Sequence, residues 1–106
     1  MQTKSYYAVA SVTNIEETPT GSDVLVLTGT SGSTIIKSIK VSTIDATVAT
    51  IKYKNSSDLE QFSFKLNLDD NGYVLIDSFD VINPGEKLYF NADQNTCKIK
   101  VDVAEQ

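Results

Sequence analysis

The chain has no histidine, no arginine and no tryptophan, and it has a single cysteine. Each absence closes a class of chemistry. Without histidine no side chain has an ordinary pKa near neutrality, so a serine or cysteine nucleophile lacks its usual general base. Without arginine there is no planar fork for bidentate recognition of phosphate or guanine. One cysteine cannot close an internal disulfide. Cys97 falls on the apolar side of its strand, where a free thiol behaves as a small hydrophobe. No apolar run approaches the length of a membrane-spanning helix. The first residues, Met1 to Tyr7 in the sequence, hold no apolar stretch either, so no signal peptide is expected and the Asn55-Ser56-Ser57 sequon carries no weight. Nor does any segment carry the periodicity of a substantial helix.

What is present is alternation at period two. Phe62, Phe64, Leu66 and Leu68 point one way while Ser63, Lys65 and Asn67 point the other. Cys97, Ile99, Val101 and Val103 repeat the device against Lys98, Lys100 and Asp102. Successive side chains on a strand face opposite sides of a sheet, so this pattern describes strands with one wet and one dry face. Valine and isoleucine outnumber leucine by more than two to one, a bias that suits the pleated surface over the helix. Strands are predicted at 6–12, 24–28, 34–42, 48–54, 61–68, 73–79, 87–91 and 96–104. The apolar run at 24–28 is that of a strand buried on both faces. Strict alternation through 34–42 would push Lys37 inward, so a bulge is predicted between Ile36 and Ile39.

The turns punctuate these strands every eight to twelve residues. The segment 13–23 reads as a loop, and 28–33 as a flexible turn. Strands three and four are expected to form a hairpin. Asp69-Asp70-Asn71-Gly72 has the chemistry of a tight hairpin, and Asn83-Pro84-Gly85-Glu86 that of a type II turn, with Gly85 at the position of positive φ. The expected fold is therefore all-β: a single antiparallel β-sandwich, Ig-like or jelly-roll-like, of about seven to eight strands. All 106 residues make one domain, with residues 1–5 as an N-terminal arm, and such a chain buries about two-thirds of its surface without metal or disulfide.

The net charge is -5, and all nine basic residues are lysine. Lys37, Lys40, Lys52, Lys54, Lys65, Lys98 and Lys100 fall on strands, where they are expected to be the solvent side of the sheets and guards of exposed edges. An acidic chain repels a phosphate backbone, so neither a specific nucleic acid nor a membrane is expected as partner.

Chemical motifs are few. Asn67, Asp69 and Asn71, followed by Gly72 and Val74, match the first half of a calcium loop. The second half fails, because Ser78 stands where the bidentate glutamate belongs, and a hairpin turn explains the same residues. The pairs Asp69/Asp70 and Glu16/Glu17 sit in turns rather than facing across a cleft. No catalytic residue, cofactor or metal is therefore assigned, and no enzyme is expected. Among the aromatic residues, Tyr53 is placed inward by strand parity, with Phe62 and Phe64 in the core. Tyr6 and Tyr7 lie on opposite faces of one strand, as do Tyr89 and Phe90, so one member of each pair is left outside. Tyr6, Tyr7, Tyr89 and Phe90 are the interface candidates, because exposed aromatics mark protein contacts.

At 34–55 (Thr-Ile-Ile-Lys-Ser-Ile-Lys-Val-Ser-Thr-Ile-Asp-Ala-Thr-Val-Ala-Thr-Ile-Lys-Tyr-Lys-Asn) a strand ends in a short turn and returns through a strand that opens Thr47-Val48. At 81–105 the Asn83-Pro84-Gly85-Glu86 turn precedes a short strand, a polar turn and a closing strand that ends at Glu105. Together these segments resemble small β-sandwich virion proteins of tailed bacteriophages. The resemblance implies a non-enzymatic structural protein of the particle: a capsid decoration or head-associated accessory subunit, or alternatively a neck, tail or fibre accessory. It implies other virion proteins as partners (the major capsid protein or neighbouring subunits), a multi-copy or homo-oligomeric state, and a place in virions assembled in the bacterial cytoplasm. It carries no catalytic motif. A second class stays open, a module that binds glycans or a host surface through Tyr6, Tyr7 or Tyr89.

Overall fold

A computed structural model describes residues 2–13, 18–77 and 80–105. Eleven strands follow in chain order: β1 Gln2–Val9, β2 Ser11–Thr13, β3 Thr20–Ser22, β4 Val24–Thr28, β5 Thr34–Ser42, β6 Thr47–Lys54, β7 Glu60–Leu68, β8 Tyr73–Asp77, β9 Val81–Ile82, β10 Lys87–Ala92 and β11 Lys98–Glu105. Among the described residues there is no helix, and so none long and apolar enough to cross a membrane.

The strands pair in a nested way. β6 pairs β7, outside them β5 pairs β8 and β9, then β4 pairs β10, and outermost β1 pairs β11, all antiparallel. Successive nested pairs alternate between two sheets, β1-β11-β5-β8 (with β9 also on β5) and β4-β10-β6-β7. A chain folded as one long hairpin and then rolled has this order. With eight principal strands it is a jelly-roll sandwich. The short β2-β3 ribbon is inserted between the first two principal strands, beginning just past Ala10, whose N–H donates to the Cys97 carbonyl at 2.9 Å. Gly21 lets this ribbon lie against β10, since a Cβ there would stand 2.1 Å from the Ala92 carbonyl oxygen.

The core lies between the sheets. Ile36, Ile39, Val41, Ile99, Val101 and Val103 from the first sheet meet Ala49, Ile51, Leu88, Phe90 and Ala92 from the second. The alternation is thus realised as burial: β5 reads inward at Ile39 and Val41 and outward at Lys40. The bulge expected in this strand is present. Val103 faces Ile36 and Asp102 faces Ser38, so Lys37 is the additional residue. Ile36 and Ile39 are both buried while Lys37 reaches solvent. The Asn83-Pro84-Gly85-Glu86 turn also has its expected shape, with φ of 83° at Gly85 and the Glu86 N–H bonded to the Asn83 carbonyl at 3.0 Å.

Several expectations are corrected by the pairing. Strands β5 and β6 do not form a hairpin, and neither do β7 and β8; each pair is joined by a turn that carries the chain from one sheet to the other. Turn chemistry dictates a reversal of direction, but it does not say whether the two strands will be neighbours or lie in opposed layers. The run in β4 is not that of a strand buried on both faces. This strand is a sheet edge, and its register shift against β10 adds Val26 between Leu25 and Leu27, so Val26 and Leu27 are buried while Leu25 stays 48% exposed. Phe62 is not core: β7 is also an edge strand, which leaves Phe62 57% exposed and Phe64 half-buried. Phe90, an interface candidate by sequence, is fully buried, because it faces Ile51 across β6 on the inner side of the second sheet. Residues 2–5, read as an arm, are paired with β11. A strand (β3) lies in the segment read as a loop, and Phe79 and Ser78 lie outside the described residues.

Candidate interaction surface

The outer face of the first sheet gathers the chain's unusual surface. Residues directly opposed across antiparallel strands share a face, so the register defines three rows. Val9, Lys98, Ser42 and Tyr73 form one row, and Tyr7, Lys100, Lys40 and Leu75 the next. Ser5, Asp102, Ser38 and Asp77 form the third, with the bulged Lys37 beside Ser38. Tyr7 and Tyr73 are each 70% exposed, and Leu75 and Val9 are more than half exposed. The Lys100 ammonium lies 5.9 Å from the Tyr7 ring centre and the Lys40 ammonium 5.7 Å from that of Tyr73, at the outer limit of cation–π attraction.

The cations of this face are largely uncompensated. On the second sheet Lys52 and Lys54 both pair with Asp23, at 3.1 and 3.3 Å, and Lys87 pairs with Asp58 at 2.8 Å. On the first sheet the one ion pair among the described residues is the long contact of 3.8 Å between Lys100 and Asp102. Asp102 is held in place by hydroxyls, Ser5 donating to one oxygen at 2.5 Å and Ser38 to the other at 3.2 Å. The Ser5 bond, aided by the charges of Lys100 and Lys37, keeps this carboxyl below its ordinary pKa against the opposing effect of partial burial.

The sequence-predicted candidates separate. Tyr7 belongs to this face. Tyr6, on the other side of β1, turns inward and donates its hydroxyl to the Glu105 carboxylate; burial, then that partner, raises its phenol pKa. Tyr89 is on the outer face of the second sheet, already engaged by Lys54 at 4.2 Å over its ring and by a 3.4 Å bond to Asp58. Phe90 has no surface to offer. Tyr73 and Leu75 are surface residues that the strand pattern alone does not single out; the inward parity of Val74 and Ile76 in the same strand is the signal that places them outward.

The residues of the partial calcium motif serve a turn between sheets. Asn71 adopts φ of 55° and its N–H donates to the Ile44 carbonyl at 2.8 Å, while Gly72 N–H bonds the Asp69 carbonyl at 2.9 Å. Asp70 accepts from the Ala46 N–H at 2.8 Å, and Asn67 lies back on β7 opposite Val48. Among the described residues no group of three or more His, Cys, Asp or Glu side chains gathers as a metal site. Glu16 and Glu17 lie outside the described residues. Tyr53 donates to Asp80 at 3.1 Å, and burial above all raises its phenol pKa.

No protein-family model and no curated protein sequence matches the chain. Among solved structures, a chain of the T13 IBDV viral particle is similar at 10% identity, with a TM-score of 0.45 over 99% of this chain and 32% of that one. A chain from the infectious bursal disease virus Gx strain is similar at 10% identity, TM-score 0.40, over 97% of this chain and 32% of its own length. The chain thus spans about a third of those proteins.

Proposed function

We propose that the protein is a non-enzymatic structural subunit of a virus particle, held there in many copies by protein–protein contacts. The observation that carries the reading is the nested jelly-roll pairing into which the two phage-like segments fold, 34–55 as β5 and β6 and 81–105 as β9 to β11. Jelly rolls recur in capsid proteins. A fold alone does not assign a function. The surface adds to it, because an aromatic and lysine-rich face with few internal ion pairs suits a partner rather than solvent. The finer reading is a capsid decoration or head-associated subunit of a tailed bacteriophage, assembled in the bacterial cytoplasm, with a neck, tail or fibre position as the alternative. Quantitative mass spectrometry of purified particles tests it. The expected result is a fixed copy number per particle, and absence from purified particles refutes it.

A second reading is favoured by the exposure of Tyr7 and Tyr73 on one face, since jelly rolls also occur in lectins. A glycan module predicts a saturable array signal that Tyr7→Ala or Tyr73→Ala abolishes. No signal on any glycan would end that reading.

A further inference from the structure

The fold segregates charge between one end and one face. At one end of the roll three turns meet, at 43–46, 69–72 and 93–97. Thr43 N–H donates to the Gly72 carbonyl at 3.0 Å and Asn71 N–H to that of Ile44 at 2.8 Å. Asp45 N–H donates to the Thr96 hydroxyl at 3.2 Å, and Val48 N–H to Asp93 at 3.1 Å. These ties hold Asp45, Asp69, Asp70 and Asp93 on one end, with Ile44 60% exposed among them, and none of the three turns contains a lysine. The outer face of the first sheet has the opposite character. Lys37, Lys40, Lys98 and Lys100 outnumber Asp77 and Asp102 there, within a chain whose formal charge is -5.

We propose that the acidic end of one copy docks on the lysine–tyrosine face of the next. Ile44 would meet Tyr73 and Leu75 on β8 while the turn carboxylates meet the ammonium groups of the neighbouring β5 and β11, which have few ion pairs among the described residues. The two patches are different surfaces of the same chain, so the contact is heterologous. Each copy keeps one patch of each kind free, and association continues into a ring or a filament. Single exposed ion pairs contribute little; matched fields steer the encounter and reject the wrong partner, and the contact of Ile44 with Tyr73 and Leu75 beside the lysines supplies the adhesion. The inference rests on the multi-copy structural reading and names the contact that would build it.

The test is sedimentation velocity of the full chain between about 0.1 M and about 1 M salt, over which the screening length falls from about 10 Å to about 3 Å. Self-association is expected at the lower salt and its loss at the higher. Lys40→Glu with Lys100→Glu removes the face, and Asp69→Lys alters the end through a side chain that caps no turn. Each variant alone is expected to associate at least about tenfold more weakly. For mixing, the Lys40→Gln with Lys100→Gln variant is combined with the Asp69→Lys variant, since a glutamate face would itself attract the lysine end; the two should form a one-to-one complex that grows no further, because the intact end of the first fits the intact face of the second. If charge reversal unsettles β5 or β11, Lys40→Gln with Lys100→Gln takes its place. A wild-type chain that stays monomeric at millimolar concentration and low salt overturns the proposal, as does association insensitive to salt or to these variants, or a mixture that fails to complement. A monomeric chain still found in particles at fixed copy number overturns this contact and leaves the structural reading standing.

Discussion

Lys37 and Lys40 carry the same side chain on the same strand, yet deleting one or the other should have very different consequences. Lys37 is the additional residue of the bulge. Without it, β5 alternates regularly from Val41 back to Thr34, and Ile39, Ile36 and Thr34, all essentially inaccessible, keep their inward places. What must adjust is the connection between β8 and β9, where the Ile36 N–H meets the Asp80 carbonyl at 2.8 Å, so the expected cost is within about 2 kcal/mol. Deleting Lys40 leaves no such solution. The bulge can absorb the missing residue only by turning Ile39 outward and Ser38 inward. Losing the burial of one isoleucine costs about 1.5–3 kcal/mol, and burying a hydroxyl without its partner about 1–3 more. The sum, roughly 3–6 kcal/mol, is a large share of the about 5–15 typical of a domain. It should lower Tm by at least about 12 °C. Urea titration of the two deletion variants reads the difference directly. Equal costs would refute the placement of the bulge at Lys37 and, with it, the register that puts Lys37 and Lys40 on one face.

The partition of the aromatic candidates is equally measurable: Phe90→Ala should cost about 3–5 kcal/mol and Tyr7→Ser at most about 0.5 in the same titration, and similar values would contradict the burial of Phe90. The Cys97 thiol is buried and pushed up to about 11 by that burial and by the charge of Asp93. Iodoacetamide should therefore label it only as fast as the protein unfolds, with rapid native labelling the contrary result. Asp102 has a folded-state pKa below its ordinary value of 3.8, so its stabilisation is complete above that value and is lost as the pH falls through the folded pKa. Melting temperature measured from neutral pH into acid should fall less steeply for Asp102→Asn than for the parent, and parallel curves would show that the Ser5 and Ser38 bonds contribute nothing.

Much of the architecture could be read from single-strand patterns because it depends on them. Inward and outward residues of β5, β6 and β11 follow from parity, and the bulge follows from one lysine out of phase. What could not be read depends on pairing between distant segments. Phe62 has a flawless alternating neighbourhood, but its exposure is decided by β7 being an edge. The Asn71-Gly72 turn announces a reversal, and only the nesting of β5 with β8 and β6 with β7 says that the reversal crosses between sheets. The apolar run of β4 similarly encodes an edge bulge that resembles a doubly buried strand until β10 is set beside it.

The same distinction governs the candidate surface. Lys37, Lys40, Lys52, Lys54, Lys65, Lys98 and Lys100 look equivalent along the chain, all expected to face water, Lys37 by way of the bulge. Their difference arises from acids far away in sequence: Asp23, brought beside β6, satisfies Lys52 and Lys54, while Lys37 has only the longer-range charge of Asp102 and no ion pair reaches Lys40 or Lys98 among the described residues. Tyr7 and Tyr73 lie at opposite ends of the sequence and become parts of one surface only because β11 and β5 stand between β1 and β8. In a patch assembled from four strands in this way the two central strands are held by core residues on their other side, Ile39 and Val41 of β5 and Ile99 and Val101 of β11, while the edge strands rest partly buried residues on the same core, Tyr6 and Ala8 of β1 and Val74 and Ile76 of β8. A preformed backing lowers the entropic cost of association, so lysines held between two flanking tyrosines present a partner with a surface that needs little reordering.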